Sequence, residues 1–234
     1  MIYKIYALGD SAITVELGNT IDIATHEKVM TVYNLALKNP IVGVRDIIPA
    51  YCTVTWVYDI VGLRKNYPIT SAYKFMQTEI EKIYNQLESQ NDQTNRLTDQ
   101  PTNRLITIPV HYYTDGSFDL QNLAQQRAMS VETFISIHTN TTYRVYLLGF
   151  LPGFAYMGSV DERIAAPRLA QPRTIIPAGC VGIAGEQTGI YPVASPGGWN
   201  IIGRTDVKLF DPEKENPILL KVGDSIKFVD SLRD

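Results

Sequence analysis

Glycine, proline and arginine are concentrated in one stretch of this 234-residue chain, between Gly149 and Arg204. The stretch holds ten of the 16 glycines and six of the 13 prolines, and it has no lysine. Its basic side chains are all arginines, whose planar guanidinium groups bind carboxylates and phosphates bidentately. Glycine-rich turns also let backbone N–H groups approach an anion closely. The combination is compatible with a small-anion site, but spacing alone favours the other explanation, a β-barrel that needs Gly and Pro at its corners.

Three segments of this stretch supply candidate binding groups. SPGGW at residues 195–199 is a rigid turn, which forms either an anion-binding nest or an ordinary barrel turn. GFLPGF at residues 149–154 sets two phenylalanines around a Pro-Gly bend, which walls a pocket or fills a corner of the core. Gln187, Thr188 and Tyr191 add neutral hydrogen-bonding groups in a turn, for which a plain loop is the alternative.

The motifs of common enzyme classes are missing from this sequence. It contains no Walker A loop, GxGxxG, HExxH, CxxC or GxSxG. His26, His111 and His138 lack the spacing of metal ligands, so no metal site is predicted. His138 falls on the apolar face of a short predicted helix, where a hydrogen-bonded core residue is expected. The sequence is not typical of a self-contained enzyme.

Composition excludes several kinds of partner. Twenty-one basic and 24 acidic side chains give a net charge of −3, so no general attraction to nucleic acid or anionic membranes is expected. The longest apolar windows fall far short of the roughly 20 residues of a membrane span. The N-terminus lacks the features of a secretory signal, and we expect a cytoplasmic protein. Cys52 and Cys180 are expected to be reduced, buried small hydrophobes.

The elements that would position these groups fall into two predicted domains. Residues 1–88 combine alternating strand patterns at 12–17 and 51–58 with two helices, one ended by Pro40 and one from about residue 71 to residue 87. Thr14 is expected on the polar face of the first strand. This domain is predicted to be α+β, a small α/β sandwich with its helices on one face of the sheet.

A polar linker at residues 89–104 separates this domain from residues 105–234. The second domain begins with a strand at 105–111. Two short helices follow, with Asp119 and Ser130 as expected N-caps. After Tyr143 only short β-rich segments with Gly and Pro between them remain, which favours a β-barrel or sandwich.

The motif string of this second domain resembles one family. Residues 143–158 (YRVYLLGFLPGFAYMG), 166–205 (APRLAQPRTIIPAGCVGIAGEQTGIYPVASPGGWNIIGRT) and 219–228 (LLKVGDSIKF) resemble the allophanate hydrolase subunit 1 family. That family includes the B-type subunits of 5-oxoprolinase and KipI-like proteins, and it corresponds to a carboxyltransferase subdomain. The resemblance implies an N-terminal α/β domain and a C-terminal cyclophilin-like β-barrel that carries the pocket.

The resemblance also implies partners and an activity. Members of the family work beside a sister barrel, a C-type protein that is like allophanate hydrolase subunit 2. In the 5-oxoprolinase branch an A-type protein joins them, and ATP drives hydrolysis of 5-oxo-L-proline to L-glutamate. Since this chain has no P-loop, ATP is expected to be used by the complex. The alternatives are a KipI-like inhibitor that binds a sensor histidine kinase, and a member of an allophanate hydrolase or urea carboxylase-related assembly.

Site residues follow from the same resemblance. The family usually has Ser where this chain has Cys180, and a second Arg where it has Leu169. Arg173 is therefore a better candidate for a binding charge than the pair at positions 168 and 169. We expect Arg173 and Arg204 to be catalytic anion clamps. The expected substrate- and anion-binding residues are Gln187, Tyr191, Ser195, Gly197 and Gly198, and the expected pocket walls are Phe150, Pro152, Phe154 and Trp199.

Overall fold

A computed structural model of the chain describes residues 3–91 and 104–232. The chain divides into two compact units, Met1–Pro101 and Thr102–Asp234. Most of the predicted linker at residues 89–104 lies outside the described residues. Residues 89–91 continue the last helix of the first unit.

The described part of the first unit is an antiparallel sheet with helices. Its strands, β1 (Lys4–Ala7), β2 (Ala12–Glu16), β3 (Val44–Ala50) and β4 (Thr53–Tyr58), lie in the order β1-β2-β4-β3. Its helices are α1 (Ile23–Lys38), α2 (Ile60–Asn66) and α3 (Ala72–Asn91). Inward-facing residues of β2 and β4 form one buried cluster with the apolar stripes of α1 and α3. The predicted α+β class is confirmed.

Some local expectations for this unit are wrong. Strand β3 was not among the predicted elements. It contains Pro49, which is tolerated because β3 lies at the edge of the sheet. Cys52 is half-buried in the turn between β3 and β4, and is not a core residue. Thr14 is buried on the face expected to be polar, where its hydroxyl meets that of Thr55 at 2.9 Å across the β2–β4 pair.

The second unit contains a closed barrel. Its helices are α4 (Leu120–Gln126) and α5 (Val131–Asn140). Seven strands of the described residues close in the order β10-β7-β6-β13-β5-β12-β9, and β8 and β11 form a separate two-stranded ribbon. The strands are β5 (Leu105–Tyr112), β6 (Thr142–Leu148), β7 (Ala155–Gly158), β8 (Arg173–Ile176), β9 (Cys180–Ala184), β10 (Gln187–Ile190), β11 (Ser195–Gly197), β12 (Asn200–Arg204) and β13 (Ser225–Asp230).

The barrel closes through one parallel pair. Strands β5 and β13 run parallel, and the other pairs of the barrel are antiparallel. At one end of β13, Arg104 makes a bidentate ion pair with the fully buried Asp224, at 2.9 and 2.5 Å. Asp224 follows Gly223 in the turn that precedes β13. The closed arrangement of the seven strands confirms the predicted barrel.

His138 is buried in the barrel core, as its position on the apolar face of α5 predicts. Its Nδ1 lies 2.8 Å from the Tyr112 hydroxyl and its Nε2 lies 3.3 Å from that of Thr188. Its ring also stacks on Phe228 at 4.7 Å between centroids. Burial lowers the pKa of His138 to about 3, so the ring is neutral at physiological pH.

This buried histidine predicts a specific acid sensitivity. The unfolded state binds the proton at pH values near and below 6.5, whereas the folded state resists it down to about 3. Stability should therefore fall on acidification through that window, with His138 contributing up to about 1.4 kcal/mol per pH unit. Urea unfolding measured from pH 7 to pH 4 tests this. His138→Gln should lose this part of the slope, and His111→Gln, at an exposed histidine, should keep it.

Candidate functional site

An apolar pocket of about 270 Å³ lies on the outside of the barrel, against the β8–β11 ribbon. The floor is aromatic, and the rim comes from the proline- and glycine-rich turns. The residues that line it are Phe150, Phe154, Tyr156, Arg168, Leu169, Pro172, Tyr191, Pro196, Gly197, Gly198 and Trp199.

Two consecutive tight turns present Phe150 at the mouth of this pocket. The Leu151 amide donates to the Gly149 carbonyl at 2.9 Å, which closes a three-residue turn around Phe150. Phe150 therefore has a φ of 70°, a conformation that is uncommon outside glycine. The Phe154 amide then donates to the Leu151 carbonyl at 3.0 Å, with Pro152 and Gly153 (φ 83°) at the central positions. The Phe150 ring remains 61% exposed although it is apolar.

Phe154 is the centre of the aromatic floor. Its ring makes edge contacts with Tyr156 at 4.8 Å and with Trp199 and Tyr191, both at 5.4 Å between centroids. Phe150 meets it edge-on at 5.6 Å. Each edge-to-face pair contributes about 0.5–1.5 kcal/mol beyond its buried area, so these contacts stabilise the arrangement of the floor.

Two glycines make this close packing of rings possible. A Cβ at Gly189 would lie 3.0 Å from both the Phe154 and the Trp199 rings. A Cβ at Gly197 would lie 2.3 Å from the Tyr191 hydroxyl and 2.8 Å from the Ile176 side chain. These glycines are required because a side chain at either position would occupy the space of the floor.

Arg168 is the one cation among the residues that line the pocket. It is exposed, and within the described parts of the chain it makes no ion pair. Burial raises the pKa of Tyr156, and that of Tyr191 to about 12, so both phenols are protonated at neutral pH. The lining thus offers an arginine and two hydroxyls around an apolar floor, and it includes no carboxylate or imidazole. It can bind and orient a small anion, but it has no general base.

The sequence-predicted site residues divide into two groups. Six of them line this pocket, and five do not. Pro152 forms the exposed bend, Ser195 is buried with its hydroxyl turned to the backbone carbonyl of Pro196, and Gln187 opens β10. Arg173 and Arg204 lie outside the lining as well. The six are Phe150, Phe154, Tyr191, Gly197, Gly198 and Trp199.

Arg173 is held by an aspartate that was expected in another role. Asp119 occupies the N-cap position of α4, but its side chain makes no capping hydrogen bond. Its Oδ1 instead accepts from Arg173 Nη2 at 2.8 Å, and its Oδ2 accepts from the Ile201 amide at 2.7 Å. Asp119 therefore stands at the predicted N-cap position, but its side chain does not cap the helix, because the carboxylate connects β8 to β12. By contrast, Ser130 caps α5 through the Thr133 amide, as predicted.

Five residues of the lining are not among those predicted from the sequence: Tyr156, Arg168, Leu169, Pro172 and Pro196. Arg168 was passed over in favour of Arg173 because it precedes the non-basic Leu169, where the family usually has a second arginine. Tyr156 alternates with Phe154 on the same face of the segment that leads into β7. This period-two spacing from Phe154, an expected wall residue, is the sequence signal that could have identified Tyr156.

A larger and more open groove lies elsewhere on the barrel unit, beside α5. Its volume is about 720 Å³. Its charged pair is internally satisfied, since Arg163 binds Asp161 at 2.9 and 2.6 Å. We therefore take the aromatic pocket, and not this groove, as the candidate binding site. The residues of the groove are Glu132, Thr133, Ser136, Ile137, Asn140, Thr141, Asp161 and Arg163.

Two further observations limit the chemistry of the chain. The described residues contain no group of three or more His, Cys, Asp or Glu side chains arranged to hold a metal ion. None of the described helices has the length and apolarity needed to cross a lipid bilayer.

These features define a two-unit α+β protein whose closed barrel carries an aromatic pocket, lined by an arginine that makes no ion pair with the described residues. The family description "carboxyltransferase domain, subdomain C and D" matches residues 3–220. The chain belongs to this family, and the resemblance drawn from its motifs is confirmed.

Curated relatives match along nearly the whole chain. One described as the B subunit of 5-oxoprolinase from Bacillus subtilis (strain 168) is 39% identical over 229 residues, which are 97% of this chain and 92% of the relative. One with the same description from Escherichia coli O157:H7 is 35% identical over 226 residues, 97% of this chain and 95% of that relative. The crystal structure of TTHA0988 superposes with a TM-score of 0.75 at 30% identity, covering 94% of this chain and 39% of that one.

The two adjacent glycines of the SPGGW turn provide a test of the aromatic floor. Gly197→Ala should destabilise the barrel unit by about 1–3 kcal/mol, because its methyl group would overlap Tyr191 and Ile176. Gly198→Ala is the matched control, since its Cβ would meet Pro172 at an ordinary 3.6 Å. Urea unfolding of the two variants should separate them. Equal stabilities would show that the floor tolerates a side chain at position 197.

The Asp119 carboxylate provides a second test. Asp119→Asn keeps the shape but removes the charge from a pair whose side chains are 12% and 29% exposed, so we expect a loss of about 1–3 kcal/mol. Asp161→Asn breaks a more exposed aspartate–arginine pair and should cost less than about 1 kcal/mol. Thermal unfolding at low and high salt measures both. A smaller loss for Asp119→Asn than for Asp161→Asn would contradict the connecting role.

Proposed function

We propose that this chain is the B-type member of an ATP-dependent 5-oxoprolinase, which hydrolyses 5-oxo-L-proline to L-glutamate together with A-type and C-type partner proteins. The support comes from two relatives described as the B subunit of 5-oxoprolinase, which match along nearly their full lengths. The observation that carries the chemistry is the aromatic pocket lined by Arg168, which makes no ion pair within the described residues.

The substrate suits such a pocket for physical reasons. 5-Oxoproline is a small lactam ring that carries one carboxylate. In the proposed complex, the apolar floor around Phe154 packs against the ring, and Arg168 binds the carboxylate with a bidentate geometry. The protonated hydroxyls of Tyr156 and Tyr191 are donors for developing negative charge on oxygen.

The lactam must be activated before water can attack it, because amide resonance makes its carbonyl carbon a poor electrophile. ATP supplies this activation by phosphorylating the carbonyl oxygen. The residues that line the pocket include no general base, so in this proposal the base and the nucleotide site belong to the partner proteins. The role of this chain is to bind the carboxylate and orient the ring, while Phe150 and Trp199 exclude water.

The predicted clamps, Arg173 and Arg204, stay predictions. The present proposal uses Arg168 as the carboxylate-binding group because it lines the pocket, and it assigns no role to Arg173 or Arg204. The alternatives, a KipI-like kinase inhibitor and a member of a urea carboxylase-related assembly, lead to a different experimental outcome, in which no lactam is hydrolysed.

Reconstitution of the complex tests the proposal. Co-expression with the A-type and C-type proteins should give a complex that releases glutamate only when 5-oxoproline and ATP are both present. A stable, complete complex without glutamate release would contradict it.

Arg168 is the residue whose change should have the clearest kinetic effect. Arg168→Gln should raise the KM for 5-oxoproline about 10- to 100-fold, since a hydrogen bond to a charged group contributes about 1.5–3 kcal/mol. Complex assembly should be unchanged. Arg163→Gln, at an exposed arginine outside the pocket, is the control and should behave like the unmodified protein. A KM that Arg168→Gln leaves unchanged would remove the carboxylate-binding role.

A further inference from the structure

We infer that Asn200 is a positioning residue of the aromatic pocket, whose buried side-chain amide holds the backbone beside Arg168 and so fixes where the arginine lies relative to the aromatic floor. Because Arg168 is the group that binds the substrate carboxylate in the proposed function, this role rests on that function and deepens it. Asn200 is not among the residues that line the pocket, so it acts through Arg168 and not on the substrate itself.

The segment that carries Arg168 has little regular structure of its own. Between the isolated bridge at Ala166 and the start of β8, residues 167–172 form neither helix nor strand. Leu169 is half-buried, and the other residues of this segment are exposed. An exposed segment with few apolar anchors is not held in place by packing, so the position of Arg168 depends on hydrogen bonds to the barrel.

Two hydrogen bonds flank Arg168 along the chain. On its C-terminal side, the Leu169 amide donates to the Gly198 carbonyl at 2.7 Å. On its N-terminal side, the Pro167 carbonyl accepts from Asn200 Nδ2 at 2.8 Å. The first bond joins backbone groups that every non-proline residue supplies, whereas the second needs this particular side chain.

The carboxamide of Asn200 matches its surroundings. Asn200 is 5% exposed, and its Nδ2 also donates to the Ile183 carbonyl of β9 at 3.2 Å. Both neighbours are carbonyl oxygens, so both protons of the Nδ2 group are used, and no other uncharged side chain of this size supplies two donors from one atom. The amide therefore links the backbone at Pro167 to two strands of the closed barrel, β9 and β12.

The same short stretch of chain sets both parts of the pocket. Gly198 and Asn200 hold the segment of Arg168, and Trp199 between them contributes its ring to the aromatic floor, 5.4 Å from that of Phe154. The spacing between the cation and the floor is therefore set by three consecutive residues. A small ring with a carboxylate attached directly to it can contact both groups only if this spacing is held constant.

Hydrogen exchange of the intact chain, measured by NMR, tests the positioning role without any activity. Asn200→Ser shortens the side chain so that it no longer reaches the Pro167 carbonyl, and exchange of the Leu169 amide should become at least about threefold faster. The Ser225 amide at the start of β13, which donates to the Arg104 carbonyl, reports the stability of the barrel. The rise at Leu169 should exceed the rise at Ser225. Equal rises, or none at Leu169, would overturn the inference.

Kinetics of the reconstituted complex test the effect on the substrate. Asn200→Ser should raise the KM for 5-oxoproline about 3- to 10-fold and change kcat less than about twofold, because Arg168 is present but no longer held in place. In an Arg168→Gln background the same substitution should change the KM less than about twofold, since no arginine is left to position. Asn39→Ser is the matched control, because Asn39 Nδ2 also donates to a backbone carbonyl, that of Leu35, at 2.9 Å in the first unit.

The outcomes separate this role from the proposed function. A complex that releases no glutamate would contradict the proposed function, whereas the hydrogen-exchange comparison would still decide the positioning of Arg168. A KM raised by Arg168→Gln but unchanged by Asn200→Ser would overturn the inference and leave the proposed function intact. Equal increases of the KM in both backgrounds would show a purely structural role and would also overturn it. Asn200→Asp, which keeps the shape of the side chain but loses the N–H donors, is measured in parallel and should give the same pattern.

Discussion

The Asp119 carboxylate is the contact on which the arrangement of the binding groups in the barrel unit depends. One oxygen binds Arg173 at the start of β8, and the other binds the Ile201 amide of β12. The β8–β11 ribbon pairs only within itself among the described strands, so this contact connects it to the closed barrel. The ribbon in turn supplies Pro196 and Gly197 to the aromatic pocket.

Packing constraints explain why the pocket is rich in glycine. The Phe154, Tyr191 and Trp199 rings pack around one centre, and they leave no room for a Cβ at Gly189 or Gly197. The two explanations weighed for the Gly- and Pro-rich stretch are therefore compatible. Its turns close a barrel, and the same turns shape a binding surface on the outside of that barrel.

Local patterns along the chain were sufficient to predict most of the helices and strands. Period-two and period-3.6 spacing predicted β2, β4, α1 and α3, and the motif string predicted the barrel and the family. They were insufficient where tertiary contacts override local preference. Pro49 is accepted in β3 because that strand lies at a sheet edge, and Thr14 is buried because Thr55 lies opposite it.

The sequence by itself determined the family, the α+β class and the aromatic walls of the site, because these depend on residue types at fixed spacings. Only the tertiary structure decided which arginine serves which surface. Arg168, Arg173 and Arg204 are chemically identical side chains, but they differ in what lies beside them. Arg168 lines the pocket without an ion pair to any described residue, Arg173 is bound by a residue 54 positions away, and Arg204 lies across the ladder from Cys180. Such long-range contacts arise from strand register and barrel closure, which no local pattern encodes.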